Sequence, residues 1–505
     1  MPKKFLILIF IIIIFVSLFS IIISLTTDLS LGDEVYHYRF AENWFWLGRR
    51  PVVDVLYENS NQPAIVYGHD ILWNFILAKI WKIFGHISFM AAQIYHTFYY
   101  ILLIFLTYLL GKKLYDTETG LYSALLAATV PMIAVFGILF YTDVPGAVFS
   151  VLCVLFLIKR RYFSSGIALG LMYLSKRSTL LFFPALLFII FYYNKGNFKI
   201  KFRNLLLFIF ASAIIILPDL YWREMNFKRF PPNIFTSYKA ILNNLIFAFK
   251  ANPFYFVMGT GDMRTFTNIL NNDFAFVKYF QQVIWISYFG IGIFIALLFY
   301  FIYRKGKKKD IILWTLVGSY ILFYFVFLRL SNEVRYMLPI IPFLSILVAI
   351  PIASTNKRFL KNIIIFICTL QLFVTVGYVS TKRRIPRALK EGFTYIRENT
   401  SPEVNILYLE YIGLEMMNRR IKWSGDANIL NKIFCSSDAA EVSSAMNEMD
   451  IDYIFIRKSR IYDDSNLYYV GGYPKSFVDR LPNMLFIKLV YENSEVSIWK
   501  VNRNK

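Results

Sequence analysis

Long apolar runs recur along the chain up to about residue 380, and short polar or basic clusters separate them. A helix needs about 17–25 mostly apolar residues to cross a bilayer, because the hydrocarbon core is about 30 Å thick. The runs therefore predict a polytopic α-helical membrane protein with about eleven transmembrane helices. The predicted spans are residues 5–25, 89–110, 121–141, 144–158, 166–174, 180–193, 205–217, 283–303, 311–328, 337–354 and 363–379.

The composition supports a membrane protein and argues against a nucleic-acid-binding protein. Hydrophobic residues make up 57% of the 505 residues and charged residues only 17%, which is more apolar surface than soluble cores of this size bury. The net charge is +22, but the basic residues form short clusters between apolar runs. A nucleic-acid-binding protein would instead carry them on a soluble face.

The basic clusters also predict the orientation of the chain. They alternate with the spans so that all fall on one side, which the positive-inside rule assigns to the cytoplasm. The N-terminus is then cytoplasmic, and about eleven spans place the C-terminus outside. We expect an integral protein of a prokaryotic plasma membrane. The clusters are Lys3-Lys4, Lys112-Lys113, Lys159 to Arg161, Lys195 to Arg203, Arg304 to Lys309, and Lys357 to Lys361.

The spans divide the chain into a transmembrane domain, residues 1–380, and a small extracytoplasmic domain, residues 381–505. Within the first domain, residues 26–88 and 218–282 form outer loops too long to be simple connections. The C-terminal part alternates short β-like runs with a helical run, which predicts an α/β domain.

Acidic residues collect at the predicted outer surface. Asp33 and Glu34 follow the first span, and Asp143 lies between the third and fourth spans. A carboxylate at this depth can take the proton of a hydroxyl that attacks a lipid-linked group. The alternative is that each acid only caps a helix or a turn.

Basic residues at the same surface oppose the positive-inside trend. Lys176 and Arg177 follow the fifth span, and Arg335 precedes the tenth. Cations on the outer side can neutralise a lipid phosphate. They can equally be anchors whose charged ends reach the interface. The three cysteines and four histidines are scattered and show no metal-ligand spacing.

Four segments carry a family resemblance. They are GDEVYHYRFAENW after the first span, YTDVPGAVFSVL, GIALGLMYLSKRSTLLFFPALL, and EVRYMLPIIPFLSILVAI. In this order the chain resembles the membrane glycosyltransferases of the GT-C fold, which include protein O-mannosyltransferases and aminoarabinose transferases. It is also similar, more loosely, to the glucosyltransferase that completes the dolichol-linked oligosaccharide.

The resemblance implies roles for residues of this chain. Asp33 would be the catalytic acid with Glu34 beside it, Asp143 would be the acid of the second loop, and a divalent metal is possible. The resemblance assigns the donor phosphate to Lys176, Arg177 and Arg335. His37, Tyr67, His69 and Asp70 would belong to a substrate loop. The mannosyltransferases carry an HPP-type motif in this loop, whereas this chain has Gln62-Pro63, so the acceptor class stays open.

The expected function is an inverting hexosyltransferase. It would move a sugar from a polyprenyl- or dolichyl-phosphate donor to a glycan, lipid or protein acceptor on the outer face, with Asp33 as general base. The alternatives are a lipid or glycan transporter and a non-catalytic membrane assembly protein. A coupled transporter needs ionisable groups at mid-membrane depth, and the predicted spans offer few.

Overall fold

The computed structural model describes residues 32–52, 70–193, 197–227, 308–327, 334–355, 357–382, 385–410, 413–417, 419–422, 432–462 and 472–502, with isolated helical positions between 7 and 22. The chain divides into two compact units. One holds residues 1–26 and 69–382, and the other holds residues 27–68 and 383–505. The sequence had grouped residues 27–68 with the spans. Their helix α1, Gly32–Leu47, contacts a helix of the C-terminal part, which hydropathy alone does not reveal.

The first unit, called here the membrane unit, consists of helices joined by short turns over its described residues. Short 3-10 turns at Arg177–Phe182 and Val334–Ile340 precede α8 and α11. Its helices are α2 Leu72–Phe84, α3 Phe89–Leu114, α4 Thr117–Thr129, α5 Pro131–Phe136, α6 Asp143–Ile158, α7 Tyr162–Ser175, α8 Phe183–Tyr193, α9 Phe198–Phe227, α10 Lys308–Phe327, α11 Ile341–Ser354 and α12 Arg358–Lys382.

Three helical stretches among the described residues are long and apolar enough to cross a membrane: Phe89–Leu114, Phe198–Asn226 and Met337–Ser354. Shorter apolar helices lie at Asp143–Ile158, Arg177–Tyr192 and Lys361–Phe373. The predicted number of eleven stays a prediction, and the predicted spans 5–25 and 283–303 lie outside the described residues apart from the isolated positions.

Two prolines make the helices differ from the predicted spans. Pro131 divides the predicted span 121–141 into α4 and α5, since proline lacks the amide hydrogen that would continue α4. Pro218 lies inside α9, which continues to Phe227. Residues 218–227 therefore extend a helix rather than begin the predicted outer loop 218–282, whose remaining residues lie outside the described ones. Neighbouring helices can compensate for a proline inside a membrane helix.

Small residues let α7 and α9 pack closely. A side chain on Gly166 would meet the backbone oxygen of Phe208, and one on Gly170 would meet the side chain of Ile215. Glycines four residues apart are typical of close helix contacts in membranes, where packing provides much of the association energy. These two glycines therefore form a close seam, called here the glycine seam, between α7 and α9.

Polar side chains join the helix ends at the side predicted to be cytoplasmic. The Tyr115 hydroxyl donates to Asp310 Oδ1 over 2.6 Å, and Lys361 Nζ lies 2.6 Å from Glu118 Oε1. Lys309 Nζ donates to the carbonyl oxygen of Leu114 over 2.7 Å. These contacts hold the ends of α3, α4, α10 and α12 together.

The second unit contains a five-stranded sheet with helices on both faces. Besides α1, its helices are α13 Arg387–Asn399, α14 Leu414–Met417, α15 Ala439–Glu448 and α16 Lys475–Arg480. Its strands are β1 Asn405–Leu407, β2 Arg420–Lys422, β3 Tyr453–Arg457, β6 Ile487–Glu492 and β7 Val496–Val501, in the order β2-β1-β3-β7-β6. Strands β4 Ile461–Tyr462 and β5 Tyr473–Pro474 form a separate pair.

Two apolar layers cover this sheet. Ile406 and Phe455 pack with α13 on one face, while Leu407 and Ile454 pack with α15 and α16 on the other. The side chains of successive strand residues point to opposite faces, so β1, β3 and β7 each contribute to both layers. The strands β1, β3, β6 and β7 overlap the β-like runs that the sequence shows at residues 404–409, 453–456, 485–490 and 496–501, whereas β2, β4 and β5 are additional.

Candidate functional site

A buried ion pair joins the beginning of α6 to the end of α7. Asp143 is the first residue of α6, and its carboxylate is fully buried. Lys176 directly follows α7, and its Nζ lies 3.1 Å from each of the two carboxylate oxygens. The hydrogen-bond geometry is satisfied at Oδ2. The N-terminal end of a helix also stabilises a carboxylate through the helix dipole.

The local backbone places Lys176 against the first turn of α6. Lys176 is extended, with φ −158° and ψ 103°, so it ends α7 and turns the chain toward the following 3-10 turn. Thr179 Oγ1 donates to the Lys176 carbonyl oxygen over 2.5 Å and fixes that turn. A Cβ on Gly146 would lie 2.7 Å from the Lys176 Cβ, so the close approach requires glycine at this position.

A second ion pair lies at the neighbouring residue. Asp70 lies two residues before the start of α2 and is buried. Its Oδ1 accepts from the Arg177 backbone amide over 3.1 Å and from Arg177 Nε over 3.2 Å. The Ile71 amide donates to the Leu174 carbonyl oxygen over 3.0 Å, which ties the two segments together. Two successive cations, Lys176 and Arg177, thus each face an aspartate from another segment.

A third ion pair, absent from the sequence predictions, extends the cluster onto α9. Asp219 Oδ2 accepts from the Tyr173 hydroxyl over 2.9 Å and from Arg223 Nε over 2.7 Å. Tyr173 lies on the last turn of α7, and Arg177 is within electrostatic range of Asp219. The signal in the sequence was the spacing of four between an acid and an arginine at the end of an apolar run.

These three pairs form one cluster, called here the charged cluster: Asp70, Asp143, Tyr173, Lys176, Arg177, Asp219 and Arg223. Its three acids and three bases sum to zero formal charge. Removing each ion of a buried pair from water costs several kcal/mol. Apolar residues of similar volume in the same positions often give a more stable fold than the ion pair does. A buried cluster of this kind is therefore a candidate functional site rather than a source of stability.

The structure places the remaining predicted residues as follows. Asp33 lies in the first turn of α1 and Arg335 in the 3-10 turn Val334–Ile340, and both side chains lie outside the described set. Glu34 and His37 are buried on α1. Tyr67 and His69 lie outside the described residues. The turn that contains Arg335 packs against α6, the helix that begins with Asp143.

The described residues do not supply a metal site. Among them, no three His, Cys, Asp or Glu side chains are grouped so that they could hold a metal ion. The charged cluster contains three aspartates, but a basic side chain pairs with each of them.

Comparison with solved structures identifies the fold. The structure is similar to ArnT from Cupriavidus metallidurans bound to undecaprenyl phosphate, with a TM-score of 0.62, 12% identity and coverage of 99% of this chain and 98% of that one. It is similar to AglB from Archaeoglobus fulgidus in complex with an inhibitory peptide and a dolichol-phosphate (TM-score 0.56, 13% identity, 89% of this chain and 69% of that one). The chain has the GT-C fold.

Other comparisons agree with the GT-C fold. The arabinofuranosyltransferase AftD from Mycobacteria matches with a TM-score of 0.51 and 11% identity, covering all of this chain and 42% of that one. The family model described as dolichyl-phosphate-mannose-protein mannosyltransferase matches residues 68–222. No curated protein matches the chain by sequence. The matched segment of the GT-C fold contains Asp70, Asp143, Lys176 and Asp219.

The close approach at Gly146 gives a first testable prediction for this GT-C fold. We expect Gly146→Ala to lower the free energy of unfolding by about 1–3 kcal/mol, because the added methyl group overpacks against Lys176. The measurement is thermal unfolding of the purified protein in detergent. Gly318→Ala is the matched control, since a Cβ there meets nothing within 4 Å. An equal effect of both substitutions would show that the contact at Lys176 is not tight.

Proposed function

We propose that the protein is a glycosyltransferase that uses a polyprenyl- or dolichyl-phosphate-linked hexose. The charged cluster is the observation that carries this proposal, since it gathers paired acids and bases at one end of the membrane unit. The matched family model names a dolichyl-phosphate-mannose donor, and the similar ArnT structure contains undecaprenyl phosphate. The phosphate of such a lipid is an anion at the membrane surface, so the basic residues of the charged cluster can bind it.

In the proposed reaction, Lys176 and Arg177 hold the donor phosphate. A lysine ammonium has three donors, so Lys176 can bind Asp143 and a phosphate oxygen at the same time. Arginine can bind a phosphate through two parallel hydrogen bonds. We include Arg335 as a third phosphate ligand, because its turn and the turn that begins at Arg177 both contact α6.

The chemical step that we propose is a single displacement. The acceptor hydroxyl oxygen attacks the anomeric carbon, and the bond between that carbon and the phosphate oxygen breaks. The hydroxyl proton passes to the carboxylate of Asp33, the proposed general base, and the lipid phosphate leaves with the bonding electron pair. Attack opposite the leaving group inverts the anomeric carbon. Glu34, buried beside Asp33 on α1, is the alternative base.

Donor consumption tests the proposed function. Membranes containing the protein should consume a radiolabelled polyprenyl-phosphate hexose and release the polyprenyl phosphate, and cells lacking the protein should accumulate the intact donor. The expected difference is measured by thin-layer chromatography of the lipid extract. If no polyprenyl-phosphate hexose is consumed in the presence of a complete cell-wall and membrane fraction as acceptor, the proposal is wrong.

We also propose that the N-terminus is cytoplasmic and the C-terminal unit extracytoplasmic. Cys435 provides a probe, because it is exposed whereas Cys153 and Cys368 are buried. A membrane-impermeant maleimide should label intact cells at Cys435, and Cys435→Ser should abolish that labelling. Labelling that requires prior permeabilisation of the cytoplasmic membrane would show that the C-terminal unit is cytoplasmic and would contradict the proposed topology.

A further inference from the structure

The second unit contains a topological switch point between β1 and β3. These strands are neighbours and run parallel. The connection after β1 contains α14, whose Met417 packs on one face of the sheet. The chain after β3 leads to Tyr473 and Phe477, which pack on the other face. Where adjacent connections leave toward opposite faces, a crevice opens at the carboxyl ends of the strands, and ligands bind there in open α/β sheets.

Charged side chains occupy these carboxyl ends. Glu410 follows β1 and is buried, with 8% of its surface exposed. Arg457, the last residue of β3, donates from Nη1 to Glu410 Oε2 over 3.2 Å. Arg460 Nε lies 3.9 Å from Glu410 Oε1, and Arg460 Nη1 donates to the Tyr462 hydroxyl over 2.8 Å. Two guanidinium groups therefore approach one buried carboxylate.

The hydrogen bonds within this group are incomplete. Among the described residues, Arg457 Nε is buried without a hydrogen-bond partner, and so is Glu495 Oε2, which lies 4.0 Å from it. Burial raises the pKa of Glu410, although the charges of Arg457 and Arg460 act to lower it. A buried group without its hydrogen bond is destabilising, so a purely structural cluster would be expected to complete these contacts.

We propose that this crevice binds a sugar residue of the acceptor, with Glu410 accepting hydrogen bonds from its hydroxyls and Arg457 and Arg460 donating to them. A sugar hydroxyl is both donor and acceptor, which matches a site that offers one carboxylate and several guanidinium hydrogens. The two arginines and the acids Glu410 and Glu495 sum to zero charge, which gives no net attraction to an anion. That the sugar belongs to the acceptor rests on the proposed function.

The test measures glycan binding without any donor. The full-length protein in lipid nanodiscs is applied to an array of neutral and acidic bacterial and archaeal oligosaccharides. We expect binding to a set of neutral glycans, weakened about tenfold or more by Glu410→Gln and by Arg457→Lys, because each substitution removes a charge-assisted or bidentate hydrogen bond. Glu391→Gln is the matched control, since Glu391 forms an exposed ion pair with Arg387 in the same unit.

Each outcome decides the proposal. Absence of glycan binding by the wild-type protein overturns it, as does binding that Glu410→Gln and Arg457→Lys leave unchanged. If the protein binds only acidic glycans and inorganic phosphate competes with that binding, the crevice is an anion site and the proposal is wrong. Asp143→Asn should retain glycan binding while losing donor consumption. Glycan binding by a wild-type protein that consumes no lipid-linked donor would refute the proposed function and leave the sugar site intact.

Discussion

Replacing Asp33 with asparagine is expected to lower the rate of sugar transfer by about 10²–10⁴-fold, the usual contribution of a general base. Asparagine keeps the shape of the side chain but cannot accept the acceptor's proton at neutral pH. The measurement is the initial rate of transfer from a radiolabelled polyprenyl-phosphate hexose, with folding checked by size-exclusion chromatography. The donor's apparent KM should change little, because Asp33 acts on the acceptor hydroxyl.

Two further substitutions on α1 make this test specific. Glu42→Gln removes a carboxylate from the same helix at a position paired with Arg39, and it should retain transfer. Glu34→Gln tests the neighbouring acid. If Asp33→Asn transfers sugar at nearly the wild-type rate while Glu34→Gln does not, the general base is Glu34. If both variants retain transfer, neither acid of this pair is the base.

Breaking the buried pair between Asp143 and Lys176 is expected to affect both stability and transfer. Asp143→Leu leaves a buried ammonium without its carboxylate, which typically costs about 3–5 kcal/mol in the free energy of unfolding. Lys176→Met leaves the opposite charge and should cost a similar amount. The double variant buries two apolar side chains, so its stability should return close to the wild-type value.

The kinetics of sugar transfer by these three variants distinguish an ion pair that takes part in the reaction from one that only supports the fold. We expect Lys176→Met and the double variant to show a strongly raised apparent KM for the donor and an unchanged KM for the acceptor, since Lys176 is proposed to hold the phosphate. Thermal unfolding and two-substrate kinetics on the same preparations provide the measurements. A double variant that is stable and transfers sugar normally would show that the pair only supports the fold.

Hydropathy predicted the positions of most described helices but not how each one ends. Pro131 interrupts a predicted span, whereas Pro218 lies within a continuous helix. Both prolines lie in apolar sequence, and their different effects depend on the neighbouring helices that accommodate the backbone. A pattern of apolar residues carries no information about those neighbours.

The helix α2 shows the same limit on a smaller scale. Its sequence predicts an amphipathic helix whose apolar face holds Leu72, Phe75, Ile76, Ile80 and Ile83. The structure buries Leu72 of that face, but it also buries Trp73, Leu77 and Trp81 outside it and leaves Phe75 and Ile83 exposed. When a helix carries apolar residues on two sides, the sequence does not show which of the two sides packs against the protein.

The candidate site could be predicted in part because several of its residues are charges at the ends of apolar runs. Asp143, Lys176 and Arg177 stood out as charges beside apolar runs. Their partners could not be predicted, because pairing Arg177 with Asp70 joins residues 107 positions apart. Asp219 and Arg223 were missed since the spacing of four is equally typical of an exposed helical ion pair.

The glycine seam has a consequence for the reorganisation energy of the reaction. Gly166 lies against the backbone of α9 and Gly170 against the side chain of Ile215, so Tyr173 on α7 and Asp219 on α9 have little freedom to separate. In the proposed reaction, dipoles that are fixed beforehand would not need to turn as charge develops on the leaving phosphate, which would lower the activation barrier. We therefore expect a larger residue at Gly170 to loosen the electrostatic environment of the proposed phosphate site without altering any charged side chain.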